Sequence, residues 1–244
     1  MNKKYSMIFA VLLTIIVASD FYVLNYGGSM VENAMVDRVI DGDTLVLEDG
    51  RMIRLLNINS PEKEFSNSAL STNFMKSFEN QTLKFEIIGL DKYKRYLARI
   101  YSPEYINLNL VKLGYASKFL VDENELKEFD RAEKDAIENG LGIWRKSKFY
   151  GCFDFIIDKK NEIVKINNKC DDVNVKDWMI KDESRKTFVF PDINLGEITL
   201  HSLSGEDNET DLFWNVENVW NDDRDSIYLF NDKLEVVGYE SYGY

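Results

Sequence analysis

The sequence predicts a mainly β protein with a few helices, in which a small closed five-stranded barrel is followed by a β-sandwich. Three observations predict this. From Met35 onward, strand-like runs are joined by tight Asp/Gly turns. Between Ser66 and Asn139, three helical stretches follow or interrupt further strands. Beyond Cys152 the chain has no long helical pattern, only short Ile-, Val- and Phe-rich runs between Asp, Asn and Gly turns, the spacing of an antiparallel sandwich.

Ahead of both lies a leader, residues 1–30. Asn2-Lys3-Lys4 is followed by an uncharged run from Tyr5 to Ser19, and the apolar character resumes at Phe21 to Leu24. A basic start and an apolar run are the pattern of a secretory signal. From Tyr5 to Leu24 the length also approaches the ~20 residues that span a bilayer. Export is therefore expected, either by cleavage near Ala18-Ser19 or with the leader kept as an N-terminal membrane anchor. Lys3 and Lys4 would hold the N-terminus in the cytoplasm and leave the rest outside. The Gly27-Gly28-Ser29 stretch reads as a spacer.

In the second part, residues 31–148, the strands are expected over Met35–Ile40, Thr44–Leu47 and Arg51–Ile58. Asp41-Gly42-Asp43 and Asp49-Gly50 are the turns between them. Ser66–Asn80 reads as a helix, with Phe74 and Phe78 four apart. Leu83–Ile88 and Arg95–Tyr101 read as two more strands around Asp91 to Lys94. Tyr105–Leu113 is helical and closed by Gly114. Glu123–Asn139 is amphipathic, with Leu126, Phe129, Ala132 and Ala136 on one face and Gly140 as its stop. Five strands with these helices fit a barrel of the OB type. The third part, residues 149–244, begins where the character changes, near Lys146 to Gly151.

The charge is uneven. Residues 31–148 hold 18 basic and 20 acidic side chains, whereas residues 149–244 hold 10 and 21, within a total of -12. A protein that grips nucleic acid by bulk charge needs many Lys and Arg contacts, so a phosphate site here must be local. With one histidine, His201, and two cysteines, Cys152 and Cys170, a Cys/His zinc site is excluded in practice. The cysteines are open to either reading, a disulfide or two unpaired small apolar residues.

Phosphodiester hydrolysis requires charge neutralisation at the phosphoryl oxygens and a water aimed in line with the leaving group. A hard cation on oxygen ligands, flanking arginines and one carboxylate base provide these. The barrel region carries each: Asp43 at a tight turn, Arg54 on the third strand, Asn59-Ser60-Pro61-Glu62 at its end, and Arg95 in Asp91-Lys92-Tyr93-Lys94-Arg95.

Residues 35–144 resemble the staphylococcal nuclease (thermonuclease) family. The likeness extends through Leu110-Val111, Gly114, Ala116, Ala132-Glu133 and the closing Gly140-Leu141-Gly142-Ile143-Trp144. It implies an OB-fold barrel, Ca²⁺ dependence without an organic cofactor, and cleavage of DNA and RNA to 3′-phosphate products. Carried over by position, Asp43, Asn59 and the Ser60 carbonyl would ligate Ca²⁺. Arg54 and Arg95 would bind the phosphate, Glu62 would orient or deprotonate the water, and Lys92, Tyr93 and Leu97 would line the nucleotide pocket. This chain departs from the family at Asn59, where a second aspartate is usual and whose neutral carbonyl implies weaker metal binding. It departs again at Lys94 and at Leu120 and Asp122, where stacking aromatics are usual.

The third part is similar to the lamin tail domain, an immunoglobulin-like β-sandwich, through Val164–Asn168, Asp177–Asp182, Phe188–Pro191, Gly196–His201, Leu212–Trp214 and Val219–Leu229. Trp178, Trp214 and Trp220 are expected in its core and His201 in a structural role. The resemblance implies tethering to a protein, membrane or cell-wall partner. A different class of function, a nuclease-like barrel that only binds or scaffolds at the cell surface, is the alternative to catalysis.

Overall fold

A computed structural model describes residues 29–63, 65 and 67–244. The expected leader, apart from Ser29 and Met30, lies outside the described residues. None of the described helices is long and apolar enough to cross a membrane.

Five strands close a barrel: β1 (Met30–Val39), β2 (Thr44–Leu47), β3 (Met52–Leu55), β4 (Thr82–Leu90) and β5 (Tyr96–Ser102). Their order is β3-β2-β1-β4-β5, and β3 pairs in parallel with β5 to complete the ring, Arg54 opposite Leu97. The first strand begins earlier than Met35. Met30 to Met35 pairs with Ile87 to Thr82, and a bulge between Val36 and Arg38 then turns the strand onto β2. Val31-Glu32-Asn33 has little β pattern of its own, so pairing with β4 fixes it. Helices α1 (Ser68–Lys76), α2 (Ile106–Lys112) and α3 (Leu126–Glu138) pack around the barrel.

The third strand stops short of Ile58. Asn57 takes φ 66°, and its side chain donates to Glu125 Oε2 at 2.7 Å while accepting from the Asp122 amide at 3.2 Å. Asparagine tolerates this left-handed conformation better than most residues. Beyond it, Ile58-Asn59 pairs with Ser117-Lys118 instead of continuing β3. The barrel core gathers Val36, Leu45, Ile53, Ile58, Phe85, Ala98, Ile100, Leu110 and Phe129, among others.

Two four-stranded sheets follow. One is ordered β11-β10-β7-β6, from β6 (Phe153–Asp158), β7 (Ile163–Asn168), β10 (Glu197–His201) and β11 (Asp211–Phe213). The other is ordered β9-β8-β12-β13, from β8 (Met179–Lys181), β9 (Thr187–Val189), β12 (Asp225–Phe230) and β13 (Val236–Tyr242). Pairing in these sheets is antiparallel except between β10 and β11, which run parallel. Both sheets supply one core, with Val164, Ile166, Ile180, Ile198, Leu200, Ile227 and Leu229. Trp178, Trp214 and Trp220 are buried within it, as the sequence predicts. Cys152 and Cys170 are joined as a disulfide with Cα atoms 5.4 Å apart, which settles the pairing left open by the sequence. His201 has a structural setting. Its Nε2 lies 2.8 Å from Asp211 Oδ1, and its ring stacks on Phe213 at 4.6 Å.

The two cores meet through a third cluster, in which Trp144 lies 5.1 Å from the Tyr228 ring and 6.0 Å from the Phe230 ring. Backbone bonds continue the contact: the Val236 amide donates to Arg145 O at 2.8 Å, and the Ser147 amide donates to Val236 O at 2.9 Å. A fully buried lysine sits on this boundary. Lys118 Nζ donates to Glu133 Oε2 at 2.6 Å and to Ser226 Oγ at 2.9 Å, and Tyr228 OH donates to the same carboxylate at 3.0 Å. A charge this deep requires such partners.

Candidate active site

The loop from Ile40 to Asp43 returns the chain from β1 to β2 and is packed from outside. A Cβ added to Gly42 would lie 2.1 Å from Ser71 Oγ and 2.7 Å from Ser60 Cβ, so only glycine fits between them. This close approach directs Asp43 inward. Its Oδ2 accepts from the Ser60 amide at 2.8 Å and from Ser60 Oγ at 3.0 Å. The register Thr44 opposite Arg54 brings the arginine of β3 alongside, with Arg54 Nη2 3.3 Å from Asp43 Oδ2.

Asp43 and Arg54 are both buried, with 3% and 7% of their surface exposed. Burial alone would raise the Asp43 pKa. The guanidinium groups of Arg54 and Arg185 and the hydrogen bonds from Ser60 outweigh it, so the carboxyl is held below its ordinary range. Asp41, by contrast, is pushed up by burial and by the nearby Asp43 charge. Arg54 is held rigidly, since it donates to Leu55 O, to Ile58 O at 2.7 Å and to Asn59 Oδ1 at 2.6 Å.

Arg95 immediately precedes β5, bonded to Asp91 through Nε at 2.8 Å, with Nη1 3.3 Å from Thr44 Oγ1 and its guanidinium 5.5 Å from the centre of the Tyr93 ring. Arg54, Arg95, Lys92, Tyr93 and Leu97 line one cleft, and Asn59, Phe119 and Leu120 line it as well. A smaller polar cavity adjoins it, walled by Asp41, Asp43, Ser60, Pro61, Glu62 and Lys63. The structure thus gathers all nine residues singled out from the sequence around two neighbouring cavities. Glu62 is half exposed at the mouth.

The polar cavity suits a hard cation in its donor chemistry. Asp43, Asp41, Glu62 and Ser60 offer oxygen only, and no sulfur or imidazole lies in its wall. It also already receives a positive group of this chain, the Arg185 guanidinium, which stands between Asp43 and Glu62. The set is thin in charge, however. Among the described residues no three His, Cys, Asp or Glu side chains are grouped so as to hold a metal, and Asn59 spends its carbonyl oxygen on Arg54.

Comparison with known proteins covers this half of the molecule. A family model described as staphylococcal nuclease homologue matches residues 52–146. An uncharacterized endonuclease of Escherichia coli O157:H7 is 39% identical over 114 residues, covering 45% of this chain and 74% of the relative. The chain belongs to the staphylococcal nuclease family. Thermonuclease of Staphylococcus intermedius is 32% identical over 130 residues, covering 47% of this chain and 77% of that protein. Endonuclease YhcR of Bacillus subtilis is 27% identical over 138 residues, covering 46% of this chain and 11% of that protein.

As a member of the nuclease family the chain is a phosphodiesterase that acts on nucleic acid, and its closed five-stranded barrel is that of the family's OB fold. The matched stretch ends at residue 146, yet the site does not. Arg185, from the turn between β8 and β9, reaches Asp43 Oδ2 at 2.9 Å and also binds Glu62. Glu183 O accepts from Asn59 Nδ2 at 3.0 Å. The sequence shows no sign of these contacts, because Arg185 sits in a polar Asp-Glu-Ser-Arg-Lys turn that reads as an ordinary solvated loop.

Proposed function

We propose that the chain is an exported, Ca²⁺-dependent nuclease that hydrolyses DNA and/or RNA to 3′-phosphate products. In this reading residues 149–244 form a lamin tail-like, immunoglobulin-like sandwich that tethers the nuclease to a protein, membrane or cell-wall partner. The observation that carries the nuclease site is the meeting of a buried carboxylate, Asp43, and an exposed one, Glu62, beside the two arginines Arg54 and Arg95. Nucleic acid would lie in the cleft along Lys92, Tyr93 and Leu97. Arg54, already fixed by three carbonyl acceptors, and Arg95, fixed by Asp91, would each present donors to the phosphoryl oxygens where negative charge grows. Glu62, free of the interior, would take the proton of a water as its oxygen bonds to phosphorus and the phosphorus–O5′ bond breaks. Asp43 and the Ser60 carbonyl would hold Ca²⁺, with Asn59 joining them only by releasing Arg54 from its side-chain oxygen, and the bound ion would supply a hard positive charge to the phosphate.

Export is supported by the basic and apolar start of the sequence and by the Cys152–Cys170 disulfide, a bond that persists in oxidising compartments. The sandwich reading is supported by two four-stranded sheets that share one core. Tethering would be ruled out by full surface retention of a chain stopped at residue 148.

The deciding experiment is plasmid and RNA degradation with Ca²⁺, with chelator, and with Glu62→Gln. Calcium-dependent cleavage that the variant loses is the expected result. A folded wild-type chain that cleaves neither substrate at any Ca²⁺ concentration would leave a nuclease-like binding module in its place.

A further inference from the structure

The site contains a positive group from outside the matched family region, and its placement is specific. Arg185 lies in the five-residue turn 182–186 between β8 and β9 and has φ 80°, a conformation that disfavours any side chain with a Cβ. The turn holds it there. Lys186 N donates to Asp182 Oδ1 at 2.7 Å, Ser184 Oγ donates to Asp182 Oδ2 at 2.6 Å, and Glu183 N donates to Asp225 Oδ1 at 3.3 Å. On the barrel side Asn59 Nδ2 grips Glu183 O at 3.0 Å. The outcome is a fork whose Nη2 lies 2.9 Å from Asp43 Oδ2 and whose Nη1 binds Glu62 Oε1.

Those two carboxylates are the ones that the proposed function gives to the cation and to the base. A guanidinium and a divalent cation cannot both occupy the outward side of Asp43. Like charges a few ångströms apart repel strongly in a partly buried site. The Arg185 side chain is about one-third exposed, so solvent already reaches the guanidinium that a cation would have to displace. It also lines both the polar cavity and the cleft that holds Arg54 and Arg95.

We infer that Arg185 is a further residue of the nuclease site, supplied by the C-terminal half. It acts as a built-in counter-cation that neutralises Asp43 and Glu62 and sets how tightly a divalent cation binds. This rests on the cation reading of the site given above. The neutral Asn59 and the competing Arg185 then work in the same direction, toward a high cation threshold.

The test is a calorimetric titration of Ca²⁺ into the full-length chain and its Arg185→Ala, Arg185→Gln and Lys186→Ala variants, with thermal melts to confirm folding. Removing Arg185 is expected to tighten Ca²⁺ binding by roughly 5-fold or more, the lower range of site–site couplings. Lys186→Ala should leave it at the wild-type value, since Lys186 Nζ points away to Asn218 O and Asp182. Unchanged or weaker Ca²⁺ binding in folded Arg185→Ala and Arg185→Gln would overturn the inference and leave the cation reading intact. An equal gain in Lys186→Ala would also overturn it, by showing a general effect of net charge. No saturable binding by any of the four proteins would remove the cation reading and this inference together.

Discussion

Arg54 joins a structural role to the chemical one proposed for it. Its fork reaches Leu55 O, Ile58 O and Asn59 Oδ1 from a position almost without solvent. Arg54→Lys keeps the charge but cannot span three acceptors. It should lower kcat by roughly 100-fold, the scale of losing one preorganised donor. It should also cost about 1–3 kcal/mol of stability through stranded carbonyls. Initial rates and urea denaturation on the same protein check both, and an unchanged rate in a destabilised variant would reduce Arg54 to a structural residue. Asp43, Arg54, Asn59, Ser60, Glu62 and Arg95 could be picked out of the sequence because they stand in motifs that resemble the nuclease family's. Arg185 could not, because its partners are 123 and 142 residues away, and no local pattern encodes a contact of that span.

Elements were legible where their signals are local. The two Asp/Gly turns, the amphipathic face of α3 and the glycine stops lie where the pattern puts them. Boundaries set by tertiary partners were not. The early half of β1 depends on β4, and the early end of β3 depends on the contacts of Asn57 with Glu125 and Asp122. The C-terminal turn of α1 closes at Lys76 instead of running to Asn80, because Asn80 takes φ 61° and its amide donates to Val36 O at 2.8 Å. Gly42 is the element whose replacement tests this packing. In Gly42→Ala the new methyl must push Ser71 and Ser60 aside, which should cost about 1–3 kcal/mol. Because Ser60 holds Asp43, cleavage should fall further than the lost stability explains. A variant with wild-type melting and rate would show that the loop yields freely.

At the scale of the molecule, the junction between the halves gathers buried acids. Burial pushes Asp182 up to about 6 and Glu183 up to about 8. A carboxyl raised in the folded state binds its proton more tightly there than in the unfolded chain. Its stabilising effect is therefore full at low pH and is lost as pH rises from the ordinary carboxylate range through the folded value. Stability should then decline between about pH 5 and 8, by at most about 1.4 kcal/mol per pH unit for each group still protonated. Glu183→Gln should flatten the decline, and a wild-type melting temperature that rises over this range would contradict it. The Cys152–Cys170 bond closes a loop with a sequence separation of 18. Reducing it should cost about 2–4 kcal/mol, visible as a lower melting temperature with reductant. The sequence marks the inward face of α3 and the three tryptophans Trp178, Trp214 and Trp220 as core, since hydrophobic spacing is a local property, and Phe129, Ala132 and the tryptophans are buried. It did not foretell how the cores join, since Trp144, Lys118 and Tyr228 acquire their roles only through one another.

The backbone bonds between Val236 and residues 145–147 make the connecting segment behave as a splint. A protease that cut near Gly151 would sever the chain but not the particle. The two pieces should co-elute under native conditions and separate only in denaturant. A partner gripping the C-terminal half would thus hold the candidate cleft at a fixed bearing, like a tool clamped to a bench, and the substrate would have to come to it.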